Sequence, residues 1–167
     1  MGLSKPFWLI IGRKRKLSNL INPRARRLNL MQRQFIRAPS VTVFEYISSP
    51  TKLKKWFVSD ASFPSRSGER YFLEWPSGKR CEGKVLSYAV GKKLAFEWSE
   101  RTSVNFTLSR KDGGTVLKLD HRGSGGDKWW SDNFIGHCSG WAYFLMNLKS
   151  VMEYGKDLRS EHYGHSP

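Results

Sequence analysis

The segment from Phe134 to Met152 constrains the fold more than any other part of the sequence. Its large apolar residues recur at spacings of four, three, four, three and four, as Phe134, Cys138, Trp141, Leu145, Leu148 and Met152. This spacing places them on one face of an α-helix of roughly five to six turns. A face of this width must pack against another element, and Gly155 is expected to end the helix.

The middle of the chain alternates apolar and polar residues with a period of two, which is typical of β-strands with one buried face. The turn signals Pro76-Ser77-Gly78 and Asp112-Gly113-Gly114 separate these alternating segments. Strand by strand, the residues on the apolar faces are Cys81, Gly83 and Val85, then Leu94, Phe96 and Trp98, then Val104, Phe106 and Leu108, then Leu117, Leu119 and His121.

A short strand (32–37) and two short helical segments (40–49 and 51–57) precede these strands, and a separate helical turn (127–133) precedes the long helix. A sheet with one apolar face needs a cover, and the long helix is the only predicted element large enough to provide it. The sequence therefore predicts an α+β fold. In it, a curved antiparallel sheet of about six strands wraps around one long C-terminal helix, with two short helices after the first strand.

The basic residues are concentrated near the N-terminus. Residues 1–30 contain eight of the 29 Lys and Arg residues and none of the 14 Asp and Glu residues. We expect a basic N-terminal extension over residues 1–30, either disordered or the product of a misassigned start before Met31, a folded domain over residues 31–160, and a polar tail over residues 161–167. The extension is expected to contact anionic surfaces electrostatically, and nothing in the sequence predicts a specific nucleic acid.

Two cysteines, Cys81 and Cys138, fit neither a zinc-binding spacing nor a disulfide-rich framework. No apolar run approaches the roughly 20 residues that a membrane-spanning helix needs. The sequence therefore predicts a cytoplasmic protein with no metal site and no cofactor.

Four stretches of the sequence carry a family resemblance: FIRAPSVTVFEYISSPTKLKKWF, GERYFLEWPSGKRCEGKVLSY, LAFEW and GWAYFLMNLKSVMEYGKDLR. Their most specific pieces are Ala38-Pro39, Trp56-Phe57, Gly140-Trp141 and Asp157-Leu158-Arg159. In this order, they resemble the activator of heat-shock-protein-90 ATPase homologue family, which belongs to the START-like, or Bet v allergen-like (SRPBCC), superfamily.

The resemblance implies a helix-grip fold whose sheet and long helix enclose an apolar cavity. It also implies that the cavity binds a hydrophobic small molecule or lipid, with no established reaction. Two alternatives stay open: an enzyme of the cyclase or hydratase type acting in the same cavity, and a co-chaperone-like stress-response protein with a chaperone as its partner.

The aromatic residues are too numerous to fill only the core of such a fold, so some are expected to line the cavity. The cavity candidates are Trp56, Phe57, Trp75, Phe96, Trp98, Phe106, His121, Trp130, Phe134, His137, Trp141 and Leu145.

No catalytic residue is predicted. His137 and Cys138 are neighbours on a helix, where adjacent side chains point about 100° apart and cannot form a nucleophilic pair. His121, on an apolar strand face, is interpreted either as a core histidine or as the polar group that orients a ligand.

Overall fold

The alternating segments form strands, and the segments with helical periodicity form helices. The computed structural model describes residues 29–99, 102–123 and 128–159. In chain order, its elements are β1 (Asn29–Ile36), α1 (Ser40–Ser48), α2 (Pro50–Leu53), β2 (Asp60–Ser62), β3 (Arg70–Glu74), β4 (Arg80–Ala89), β5 (Lys93–Ser99), β6 (Thr102–Lys111), β7 (Gly114–Gly123) and α3 (Lys128–Tyr154).

The strands form one antiparallel sheet in the order β1-β7-β6-β5-β4-β3-β2. The first strand pairs with the last, so that Leu30 lies opposite His121 and Phe35 opposite Val116. The register shifts between Val85 and Ser87 in β4, and it shifts again near the end of β5. Such irregularities bend strands and increase their twist, so they give the sheet a concave face that can surround a helix.

Helix α3 covers this concave face. Trp141, Leu145 and Leu148 on its apolar stripe are at most 3% exposed. Polar contacts fix the helix against the edge strand β1, since Gln32 donates from Nε2 to the carbonyl oxygen of Cys138 at 2.8 Å. Near the other end of β1, Lys149 donates from Nζ to the carbonyl oxygen of Phe35, also at 2.8 Å. These contacts hold the helix along its length. The architecture confirms the predicted α+β fold with a gripped C-terminal helix.

The structure differs from the predicted elements in four places. Over the described residues the sheet has seven strands rather than about six, because β2 has only three residues and shows no periodicity. Helix α2 ends at Leu53, because the chain turns there and sends Trp56 and Phe57 inward. From residue 128 onward, the predicted separate turn at 127–133 is instead the beginning of α3, which has 27 residues, while residue 127 lies outside the described residues. Strand β1 begins at Asn29 rather than at residue 32.

The boundary of the predicted N-terminal extension falls inside β1. Leu30 is 2% exposed and belongs to the hydrophobic core, so the folded strand includes two residues before Met31. The rest of the extension, residues 1–28, lies outside the described residues, as does the predicted polar tail.

Candidate ligand-binding site

A cavity of about 620 Å³ lies where three parts of the fold meet: the turn after α2, the end of β3 and the middle of α3. Its volume is in the range of small-molecule sites, about 300–1,000 Å³. Its lining residues are Lys54, Phe57, Val58, Ser59, Trp75, Pro76, Tyr143, Phe144, Asp157 and Arg159.

The aromatic wall of the cavity is built around Phe57. Its ring packs edge-to-face against Trp75 with centroids 5.4 Å apart, and against Phe144 with centroids 4.8 Å apart. The neighbouring ring, Trp56, is 1% exposed, and its indole N–H donates to the carbonyl oxygen of Tyr46 at 2.9 Å. The turn thus places Trp56 in the core and Phe57 at the cavity.

A polar strap formed by residues 155–159 closes one side of the cavity. Gly155 has φ +69°, a left-handed conformation that ends α3 and that glycine adopts without strain. Arg159 then donates to the carbonyl oxygens of Val58 at 3.1 Å and Lys54 at 2.8 Å. These bonds attach the strap to the turn after α2.

Asn147, which is fully buried on α3, forms hydrogen bonds with the strap. Its Nδ2 donates to the carbonyl oxygen of Trp56 at 2.7 Å and to Oδ1 of Asp157 at 3.0 Å. Its Oδ1 accepts from the backbone N–H of Leu158 at 2.7 Å. Partial burial would raise the pKa of Asp157, but the hydrogen bonds from Arg159 outweigh it and lower the pKa below its usual value. The carboxylate therefore stays charged and keeps Arg159 in place.

Behind this wall, a second layer of rings separates the cavity from two histidines. Trp141 stacks on Phe57 with centroids 5.4 Å apart, and Trp98 lies 5.9 Å from Trp75. Trp98 also lies 5.6 Å from His121 and 6.3 Å from His137. One continuous aromatic cluster therefore runs from the cavity to the histidines.

The two imidazole rings lie 4.9 Å apart between β7 and α3. The indole N–H of Trp141 donates to Nδ1 of His121 at 3.0 Å. Burial, together with the proximity of His137, lowers the pKa of His121 to about 3. Burial also lowers the pKa of His137, as does the positive charge of Lys79. Both rings are therefore neutral at physiological pH.

The geometry of His121 does not resemble a general acid–base site. Its hydrogen bond comes from an indole, and Asp120, the adjacent carboxylate, belongs to the opposite face of β7. Asp120 instead pairs with Arg122 on that face. Within the described residues, His121 therefore has no carboxylate partner. A cyclase or hydratase would need such a partner for general acid–base catalysis.

The predicted cavity candidates divide into three groups. Phe57 and Trp75 line the cavity itself. Trp98, Trp141, His121, His137 and Trp130 form the inner cluster behind it, and Phe134 packs on Trp130. The remaining candidates are core residues at most 2% exposed: Trp56, Phe96, Phe106 and Leu145.

Sequence reasoning did not select Lys54, Tyr143 or Phe144 as cavity residues. Phe144 is one of the aromatic residues that outnumber what a core needs, and it also lies on the apolar stripe of α3. Neither Tyr143 nor Lys54 belongs to a pattern that predicts a cavity. Asp157 and Arg159 belong to the family resemblance, which does not reveal their role in the strap.

Neither cysteine is placed as a nucleophile. Burial raises the pKa of both Cys138 and Cys81, which keeps each thiol protonated. The side chain of Cys138 packs against the core beside β1, while His137 turns toward His121.

Within residues 29–99, 102–123 and 128–159, no group of three or more His, Cys, Asp and Glu side chains could hold a metal ion. None of the described helices combines the length and the apolar character that crossing a bilayer requires.

Comparison with known proteins identifies the family. The sequence model for Activator of Hsp90 ATPase homolog 1-like proteins matches residues 37–153. The chain belongs to this family. The match includes most of the helix-grip fold and confirms the predicted START-like superfamily. A search among curated protein sequences gave no significant match.

Several solved structures share the fold of this family member at low sequence identity. A protein from Staphylococcus saprophyticus is 21% identical, with a TM-score of 0.70 over 79% of this chain and 96% of its own. A protein from Mesorhizobium loti is 19% identical, with a TM-score of 0.69 over 77% and 99% of the two chains. The Aha1 dimer from Colwellia psychrerythraea is 24% identical, with a TM-score of 0.67 over 77% and 98%. At these identities, the similarity establishes the fold alone.

Proposed function

We propose that this chain binds a hydrophobic small molecule or lipid, and that the cavity between the strap, the end of β3 and α3 holds it. The observation that carries the proposal is the wall of Phe57, Trp75 and Phe144 around about 620 Å³ of space. Aromatic side chains contribute much of the binding energy in such sites, because each buries a large apolar area.

The polar groups at the rim support an apolar ligand rather than a strongly charged one. Arg159 is occupied by Asp157 and by two backbone carbonyl groups. Lys54 forms an ion pair with Asp60, with Nζ and Oδ1 3.3 Å apart. These cations are balanced by neighbouring carboxylates, so the rim offers little net charge to a ligand.

The binding proposal can be tested with the fluorescent apolar probe N-phenyl-1-naphthylamine and two variants on the same strand and its end. Trp75→Ala removes a wall of the cavity, and we expect it to weaken probe binding about three- to tenfold, the value of one aromatic contact. Phe72→Ala is the control, because Phe72 lies on the opposite strand face beneath Arg80, whose guanidinium carbon is 3.9 Å from the ring centroid.

We expect the Phe72→Ala variant to bind the probe as tightly as the wild type does. If the wild type does not bind the probe, or if both variants lose the same affinity, the cavity is not the binding site. The co-chaperone role remains a prediction from the family resemblance.

A further inference from the structure

A second cavity, of about 360 Å³, lies at the beginning of α1. Pro39 and Ser40 form one wall of this α1 cavity, and residues 110–114, in the hairpin between β6 and β7, form the other. Its volume is at the lower end of the range for small-molecule sites. It shares no lining residue with the aromatic cavity, so it is a separate place for a ligand.

The first turn of α1 lacks the side-chain cap that helices usually have. Pro39 occupies the capping position and makes no side-chain hydrogen bond, and the turn contains no acidic residue. The N–H of Val43 donates to the carbonyl oxygen of Pro39 at 3.0 Å. The three preceding N–H groups, of Ser40, Val41 and Thr42, have no carbonyl oxygen within the helix to bond to. Together with the helix dipole, such N–H groups favour an anion.

The hydroxyl of Ser40 independently points to a ligand. Ser40 is only 8% exposed, and its side chain forms no hydrogen bond with the described residues. The turn between β4 and β5 covers it on one side, where a Cβ added to Gly91 would lie 3.5 Å from Oγ. The small surface that remains lines the α1 cavity, so an occupant of this cavity would be the partner that the hydroxyl lacks.

The facing hairpin contributes the charge of the α1 cavity. Arg110 and Lys111 line it, are exposed, and form no ion pair with the described residues. Asp112, at the tip of the hairpin, is the single carboxylate among the lining residues. Two cations and the positive end of the helix dipole outweigh this carboxylate, so the cavity attracts an anion. Asp112 can at the same time accept a hydrogen bond from a hydroxyl group of the ligand.

We propose that the α1 cavity binds the phosphate monoester of a small polyol. The phosphate oxygens accept hydrogen bonds from the N–H groups at the start of α1, from the hydroxyl of Ser40 and from the guanidinium of Arg110, which can donate two parallel bonds to a phosphate. A phosphate group fills only part of about 360 Å³, so the polyol fits beside it and reaches Asp112. This site does not depend on the proposed function of the aromatic cavity.

The test compares glycerol 3-phosphate with glycerol, which lacks the phosphate group, in 1H–15N spectra of the full chain. We expect the phosphate ester to shift the amide signals of Val41 and Thr42, and glycerol to leave them unchanged. Ser40→Ala and Arg110→Gln should each weaken binding about three- to tenfold, the value of one hydrogen bond. Lys84→Gln is the matched control, because it removes an exposed cation of β4 outside the cavity and should leave the affinity unchanged.

A second arm distinguishes a soluble ester from a lipid headgroup, and it uses phosphatidylcholine vesicles with and without phosphatidic acid. Vesicle binding that Arg110→Gln weakens and Lys84→Gln does not would identify a lipid as the source of the phosphate. Equal vesicle binding by the two variants, together with specific binding of glycerol 3-phosphate, would identify a soluble ester.

The inference is wrong if neither glycerol 3-phosphate nor the phosphatidic acid vesicles shift the amide signals of Val41 and Thr42. It is also wrong if Arg110→Gln and Lys84→Gln lose the same affinity for both probes, because the attraction would then come from the net charge of the chain. Arg110 is exposed, so its variant is expected to fold as the wild type does.

Discussion

Because His121 is buried, we predict that acid begins to destabilise this protein at a higher pH than the protonation of its carboxylates alone would. The side chain is 0% exposed and its pKa is lowered from 6.5 to about 3, chiefly by burial. Below pH 6.5 the unfolded chain therefore binds a proton that the folded chain excludes. Stability from this residue is fully present above pH 6.5 and falls as the pH drops toward 3.

The expected loss can be worked out from this shift. With pKa values of 6.5 unfolded and about 3 folded, a change from pH 7 to pH 5 lowers the free energy of unfolding by about 2 kcal/mol. Asp and Glu side chains contribute little in this window, because their unperturbed pKa values lie near 4. The lowered pKa of His137 acts in the same direction.

The assay is urea unfolding at pH 7 and pH 5, with His121→Gln as the matched variant. The amide oxygen of Gln can still accept the hydrogen bond from Trp141, so this variant removes the titrating group and keeps the acceptor. We expect the wild type to lose about 2 kcal/mol more than the variant between the two pH values. Equal losses, or an NMR titration in which His121 protonates near pH 6.5, would refute the reasoning.

Three further predictions concern stability and are measured by urea unfolding. Leu30→Ala should cost about 2–4 kcal/mol because Leu30 is a core residue, whereas the exposed neighbour Met31→Ala should stay within about 0.5 kcal/mol; equal effects would mean that β1 does not begin before Met31. Gly123→Ala should cost about 1–3 kcal/mol, because the added Cβ would overlap the indole of Trp130, whereas Gly136→Ala should stabilise by about 0.5–1 kcal/mol, because Gly136 has open space around it in α3. The reverse order would contradict the packing. Asn147→Ala should cost about 2–3 kcal/mol and weaken probe binding, since it releases the strap; unchanged probe affinity would show that the strap does not shape the cavity.

The fold was largely predictable from the sequence, because the helical spacing of three and four residues and the strand period of two indicate directly which faces are buried. Leu117, Leu119 and His121 lie on the buried face of β7 as the alternation predicts, and all three are fully buried. The three-residue β2 could not be predicted in this way, since it is too short to show a period. Its pairing with β3 is a tertiary effect.

The cavity was predictable only in part, because the aromatic residues give similar signals in the sequence. Phe96 and Trp98 lie on the same face of β5, yet Phe96 is a core residue, while Trp98 lies between the cavity and the histidines. Which ring reaches a cavity depends on the curvature of the sheet and on where α2 ends. Tyr143 lines the cavity from α3 and Arg159 lines it from the strap, and no local sequence pattern predicts either position.

The most direct test of the central claim is to locate where an apolar probe binds in solution. A two-dimensional 1H–15N spectrum should be recorded as N-phenyl-1-naphthylamine is added to the full chain. We predict shifts in the indole signal of Trp75 and in the backbone amides of Phe57 and Phe144, with no change at Lys118 on the outer sheet face. Unchanged signals at the cavity, or shifts confined to the outer face, would contradict the account.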